Sequence, residues 1–97
     1  LTVTFITLDM NDLIQAGAFL VDVRTPEEFE SGHVRASVNI PLDQIAERLD
    51  EFEGKNHIIV FCRSGARSGM AKAILAQHGL TQVTNGGTWE DVKQLID

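Results

Sequence analysis

A single cysteine, Cys62, sits in the stretch VFCRSGARSGMAKAIL at residues 60–75, with Arg63 and Arg67 beside it, two of the eight Lys and Arg residues in the chain. Positive charge around a thiol favours its anion: adjacent Arg and a helix N-terminus lower a cysteine pKa from about 8.5 into a range of roughly 3.5 to 7.5. The apolar run HIIVF ends at Phe61, directly before Cys62, and the stripe Met70, Ala71, Ile74 and Leu75 follows with helical spacing. The thiol is therefore expected in a strand-to-helix turn, where parallel sheets bind ligands. Gly65 permits a tight loop there, and backbone N–H groups converging on a helix N-terminus form an anion cradle. A buried structural cysteine is the competing reading and the commonest fate of a free thiol. It would leave Arg63 and Arg67 to be desolvated without purpose, so a thiolate nucleophile is the stronger expectation.

Other chemistries fail on spacing. His57 precedes Cys62 in the same expected strand, about 16 Å away at the usual rise, too far to serve as its general base. One cysteine and three dispersed histidines make no metal-ligand pattern, so neither a metal nor a cofactor is expected. His33 and His78 are read as local hydrogen-bonding residues. GARSG is too short for a dinucleotide fingerprint, and no lysine follows its glycines as a P-loop requires.

The elements that must position Cys62 show as an alternation. TVTFI, AFLVDV, SVNI, HIIVF and TQVT are short β-rich runs, separated by segments with helical spacing of apolar residues. Met10, Leu13 and Ile14 form one stripe before Gly17; Leu42, Ile45, Leu49 and Phe52 form another; the stripe from Met70 to Leu75 ends before Gly79. Gly17 and Gly79 are plausible helix stops. Trp89, Val92, Leu95 and Ile96 should fold a last helix onto the core, with the tryptophan packing rather than stacking on a ligand. HIIVF lacks alternation, as a strand buried on both faces of a parallel sheet does. The acidic groups Glu27, Glu28, Glu30 and Asp50, Glu51, Glu53 read as solvated faces with no catalytic role.

At 97 residues the chain is expected to be a single domain over residues 1–97. It begins at Leu1 rather than Met, which suggests a trimmed or excised chain. Its 43% hydrophobic and 23% charged residues suit a soluble protein without a membrane-inserted segment. A formal net charge of −6 argues against nucleic acid, which draws on clustered Lys and Arg, and leaves small anions as partners where positive charge is local. With one cysteine no internal disulfide forms, so the compartment stays open, the cytoplasm slightly favoured over the periplasm.

LVDVRTPEEFESGHVRASVNIPL, followed by VFCRSGARSGMAKAIL and NGG, resembles the rhodanese family of sulfurtransferases, from about residue 5 to the C-terminus. It is most similar to the small single-domain bacterial members, the phage-shock type among them. The resemblance implies an α/β fold, a five-stranded parallel sheet flanked by helices on both faces. It implies Cys62 as the catalytic persulfide carrier and Arg63, Ser64, Gly65, Ala66 and Arg67 as the loop around the outer sulfur, with Ser68 counted among the substrate-binding residues. Asp22 and Arg24 match a framework motif near the site. The chain departs from the family at Ala36, where a glycine is usual, and at GGTW, where the glycine-to-tryptophan spacing is shorter.

Cell-cycle dual-specificity phosphatases share the fold but carry a longer loop. Here Ser68 stands where their arginine would fall, so the cradle is expected to be smaller. A persulfide adds one sulfur at about 2.05 Å, whereas a phosphoryl group needs room for its oxygens. The expected activity is transfer of sulfur from an anionic donor such as thiosulfate to a thiophilic acceptor, cyanide or a thiol, through a Cys62 persulfide. A persulfide carrier or sulfide-sensing module that serves a protein acceptor is the alternative, and a phosphatase or arsenate reductase a distant third.

Overall fold

In the computed structural model, which describes residues 8–97, the chain runs through α1 (Met10–Gln15), β1 (Phe19–Asp22), α2 (Pro26–Glu30) and β2 (Val38–Asn39). Two 3₁₀ segments follow (Leu42–Glu47 and Leu49–Phe52), then β3 (Ile58–Cys62), α3 (Ala66–Gln77), β4 (Val83–Thr88) and α4 (Trp89–Ile96). All strand pairs are parallel, in the order β2-β1-β3-β4. Among the described residues the sheet thus has four strands and not the expected five; the run TVTFI, residues 2–6, lies outside them.

Strand β3 is buried at every position, and its side chains alternate between two cores as the pleat requires. Ile58, Val60 and Cys62 pack on one face with Val21, Ile45, Phe52, Ala71 and Leu75; Ile59 and Phe61 pack on the other with Leu13, Leu20, Val34 and Val92. Helix α3 and the 3₁₀ segments therefore cover one face and α1 and α4 the other, the two-sided burial expected of HIIVF. Helices α1 and α3 both end at the anticipated glycines through the same bond pair: Gly17 and Ala18 N–H to the Ile14 and Leu13 carbonyls, Gly79 and Leu80 N–H to those of Ala76 and Leu75.

Four local readings are corrected. The stripe from Leu42 to Phe52 is two 3₁₀ segments broken at Arg48 (φ −123°); the pairs Leu42–Ile45 and Leu49–Phe52 have the three-residue spacing of that tighter helix. Met70 and Leu95 are 52% and 42% exposed, turned out of their stripes because Ala71 with Leu75, and Val92 with Ile96, already cover the inward faces. Helix α2 was not anticipated, since it buries no residue and leaves no apolar stripe. Its signal is local: Thr25 Oγ1 accepts the Glu28 N–H at 3.3 Å, Glu28 Oε1 accepts the Thr25 N–H at 3.0 Å, and Pro26 starts the helix.

The two departures from the family pattern also take physical form. Ala36 has φ +68°, the one positive value at a non-glycine residue among those described, which is why a glycine suits that turn. Trp89 packs with Val92 and Ile96 against the Leu13–Phe61 core and lays its ring 4.4 Å from the Arg24 guanidinium.

Candidate active site

Strand β1 delivers the first charged pair. Asp22 is fully buried and Arg24 3% exposed. Asp22 accepts the Arg24 backbone N–H at 2.9 Å, its Nε at 2.9 and 3.0 Å, and its Nη2 at 2.6 Å. Arg24 Nη2 also donates to the Gly32 carbonyl at 2.7 Å, and Asn39 ties the turn by donating to the Asp22 and Arg24 carbonyls at 3.0 and 2.9 Å. Val23 N–H bonds the Phe61 carbonyl at 3.0 Å, so this closed polar network braces the strand end that carries Cys62.

Beyond Cys62 the chain turns at once into α3. Gly65 caps that helix with φ +96°, a left-handed conformation a side chain would strain. The turn brings the Gly65 N–H to 3.0 Å from Cys62 Sγ, and Ser68 Oγ lies 3.5 Å from the sulfur. Cys62 and Ser68 are both fully buried. Burial pushes the thiol pKa up, but hydrogen bonds from the Ser68 hydroxyl and from the backbone of Ser68, Ser64 and Gly65 outweigh it, and the net direction is down from the ordinary thiol value. Arginine charge was expected to supply much of this effect; the principal donors are loop amides and one hydroxyl.

Arg67 points elsewhere than a lone ligand-binding arginine would. Its Nη1 and Nη2 donate to Glu28 Oε1 and Oε2 at 2.6 and 2.9 Å, a bidentate pair about 30% exposed on each side (31% and 29%). Glu28, expected on a solvated face, is thereby part of the loop's surroundings and the partner of Arg67. The Arg67 hydrogen bond, followed by that of Thr25, lowers the Glu28 carboxyl to about 2. Arg63, Ser64 and Ala66 are exposed on the loop. A groove of about 440 Å³ opens beside Arg67, walled by Val23, Pro41, Leu42 and Ile74.

The remaining histidines stay local. His57 Nε2 is 2.8 Å from Thr84 Oγ1, before the start of β3 and at the opposite end from Cys62. His33 stacks on Phe29 and shares a 3.0 Å contact with its carbonyl, while His78 is exposed and uses its backbone N–H to close α3. Two site neighbours have no role in the sequence reading: Glu28, and Asn85, whose side chain accepts the Ser68 hydroxyl at 2.7 Å and donates to the Gly65 carbonyl at 3.1 Å. The Thr25–Glu28 capping pair was the available signal for the first; the second stood in the NGG run that carries part of the family resemblance, with nothing there to assign its side chain a role.

A family model described as Rhodanese-like domain matches residues 8–93. The chain is 40% identical over 74 residues to the thiosulfate sulfurtransferase PspE of Escherichia coli (strain K12), covering 74% of this chain and 71% of that protein. It is 36% identical over 66 residues to the putative sulfur carrier protein YrkF of Bacillus subtilis (strain 168), covering 68% of this chain and 36% of that one. A solved structure described as a rhodanese with anions from E. coli aligns with a TM-score of 0.71 at 36% identity, over 77% of this chain and 91% of its own. No helix among the described residues is long and apolar enough to cross a membrane.

Proposed function

The chain belongs to the rhodanese family and is a sulfurtransferase; from that premise we propose that it carries the transferred sulfur on Cys62. The observation that supports this reading most is the convergence of the Gly65 N–H and the Ser68 hydroxyl on one buried sulfur at the N-terminus of α3. In the first step the Cys62 thiolate attacks the terminal sulfur of a donor such as thiosulfate. The new S–S bond forms as the donor's own S–S bond breaks, and sulfite leaves with the electron pair. The loop amides then face an anionic persulfide and act as preorganised donors to it. In the second step cyanide or a thiolate attacks the outer sulfur, and Cys62 leaves as a thiolate, a good leaving group because its pKa is lowered.

Arg63, exposed on the loop, offers the first attraction to a dianionic donor in a domain of formal net charge −6. Arg67 supplies the second charge, with Glu28 as the partner an incoming anion replaces. Cys62→Ser tests the assignment: thiosulfate-to-cyanide transfer falls to background with an unchanged circular dichroism spectrum. Turnover retained in that variant overturns it. The likeness to a putative sulfur carrier favours a second reading, in which a protein thiol takes the sulfur. That reading expects slow turnover with free thiols and fast transfer to a protein acceptor.

A further inference from the structure

Asn85, on β4, is a polar residue that the steps above do not use. Its amide orientation is fixed by two backbone groups: Nδ2 donates to the Gly65 carbonyl at 3.1 Å, and Oδ1 accepts the Gly87 N–H at 3.0 Å. Reversing the amide would set acceptor against acceptor and donor against donor. The same Oδ1 accepts the Ser68 hydroxyl at 2.7 Å. The sheet supports this placement, because the β3–β4 register slips between Val60 and Phe61, pairing Val60 with Asn85 but Phe61 with Gly87.

A hydroxyl carries one proton. With that proton on Asn85, Ser68 presents only a lone pair to Cys62, 3.5 Å away. It then accepts the S–H of a neutral thiol and gives nothing to a thiolate. To donate to anionic sulfur, the hydroxyl must turn from Asn85 to Sγ. The turn orphans no acceptor, since Asn85 Oδ1 keeps the Gly87 N–H. We propose that Asn85 is a positioning residue acting through Ser68: it holds the hydroxyl proton while Cys62 is a thiol and releases it when the sulfur becomes a thiolate or persulfide. The inference rests on Cys62 as the sulfur carrier and deepens that reading.

Charged groups near the loop are Arg63 within it, Arg67 on α3 with Glu28 of α2, and the Asp22–Arg24 pair at the end of β1. Strand β4 holds no charged residue, and Glu90 and Asp91, opening α4, are exposed. The test leaves all of them in place. Iodoacetamide alkylation of Cys62, the chain's one thiol, is followed against pH in the wild type, Asn85→Ala, Ser68→Ala and the double variant. Asn85→Ala is expected to move the midpoint down by about 0.5 to 1 pH unit, the worth of the Ser68–Asn85 hydrogen bond that no longer has to be given up when the thiol ionises. That shift should vanish in the Ser68→Ala background. A midpoint unchanged or raised by Asn85→Ala, or an equal shift without Ser68, overturns the proposal.

If Asn85→Ala does not fold, Asn85→Asp retains acceptor oxygens. It should raise the midpoint more with Ser68 present than without it, and equal increases overturn the proposal. Alkylation needs no sulfur donor, so a failure of sulfur transfer would strike the reading of Cys62 as carrier without imitating a failure here.

Discussion

Two arginine–carboxylate pairs brace the cysteine loop, and they differ in how much water reaches them. The Asp22–Arg24 side chains are 0% and 4% exposed, whereas those of Glu28 and Arg67 are 29% and 31% exposed. In the first pair Asp22 takes three kinds of Arg24 N–H, and the guanidinium spends a further donor on Gly32 and lies against Trp89. Nothing there is free to exchange, and removing one partner strands a buried charge. The second pair has the same chemistry but can trade its partner for water or for a substrate anion at little cost. Burial, not residue type, separates a scaffold ion pair from one that can serve a reaction.

The largest expected effect breaks the buried half. Asp22→Ala should lower stability by about 3 to 5 kcal/mol, since it leaves Arg24 uncompensated; urea denaturation measures this, and a loss below about 1 kcal/mol would erase the distinction. At the half-exposed pair the order reverses. Arg67→Ala should cost about 0 to 1 kcal/mol in stability but reduce kcat/KM for thiosulfate about tenfold or more, the scale of one hydrogen bond to a charged group. Parallel melting and kinetics decide it, and a melting temperature that falls together with activity would make Arg67 a second scaffold residue.

Glu28 provides a pH test of the same contrast. Its folded pKa is depressed to about 2, so its contribution is complete above the ordinary carboxylate value and is lost as pH falls toward 2. The melting difference between wild type and Glu28→Gln should therefore be small but constant near neutrality and fade in acid. A difference that grows on acidification contradicts the pairing. The smallest effect is on the scaffold alone: Ala36→Gly should add about 0.5 to 1 kcal/mol by relieving a left-handed alanine, less the extra chain entropy of glycine. Thiosulfate kinetics should not change.

Why the residues of one pair stood together in a motif of the sequence, though not read there as an ion pair, and those of the other did not follows from their spacing. Asp22 and Arg24 lie two residues apart on one strand end and belong to a recognisable motif. Glu28 and Arg67 are 39 residues apart, joined only when α2 is laid beside α3, and α2 has no apolar stripe to announce it. The buried strand, the loop and both glycine helix stops were readable because each is written in adjacent residues. Asn85 and Ser68, 17 residues apart, meet only through the β3–β4 register slip, which periodicity does not encode. The 3₁₀ geometry of residues 42–52 was hidden for a different reason, since its three-residue spacing also fits an α-helical stripe.

The central claim is that the half-exposed side of this contrast serves a sulfur held on Cys62. Mass spectrometry of the purified protein after incubation with thiosulfate tests it directly. The account predicts one added sulfur atom, located on the peptide containing Cys62 and removed by cyanide. An unchanged mass on that peptide, or an added sulfur that persists in Cys62→Ser, would contradict it.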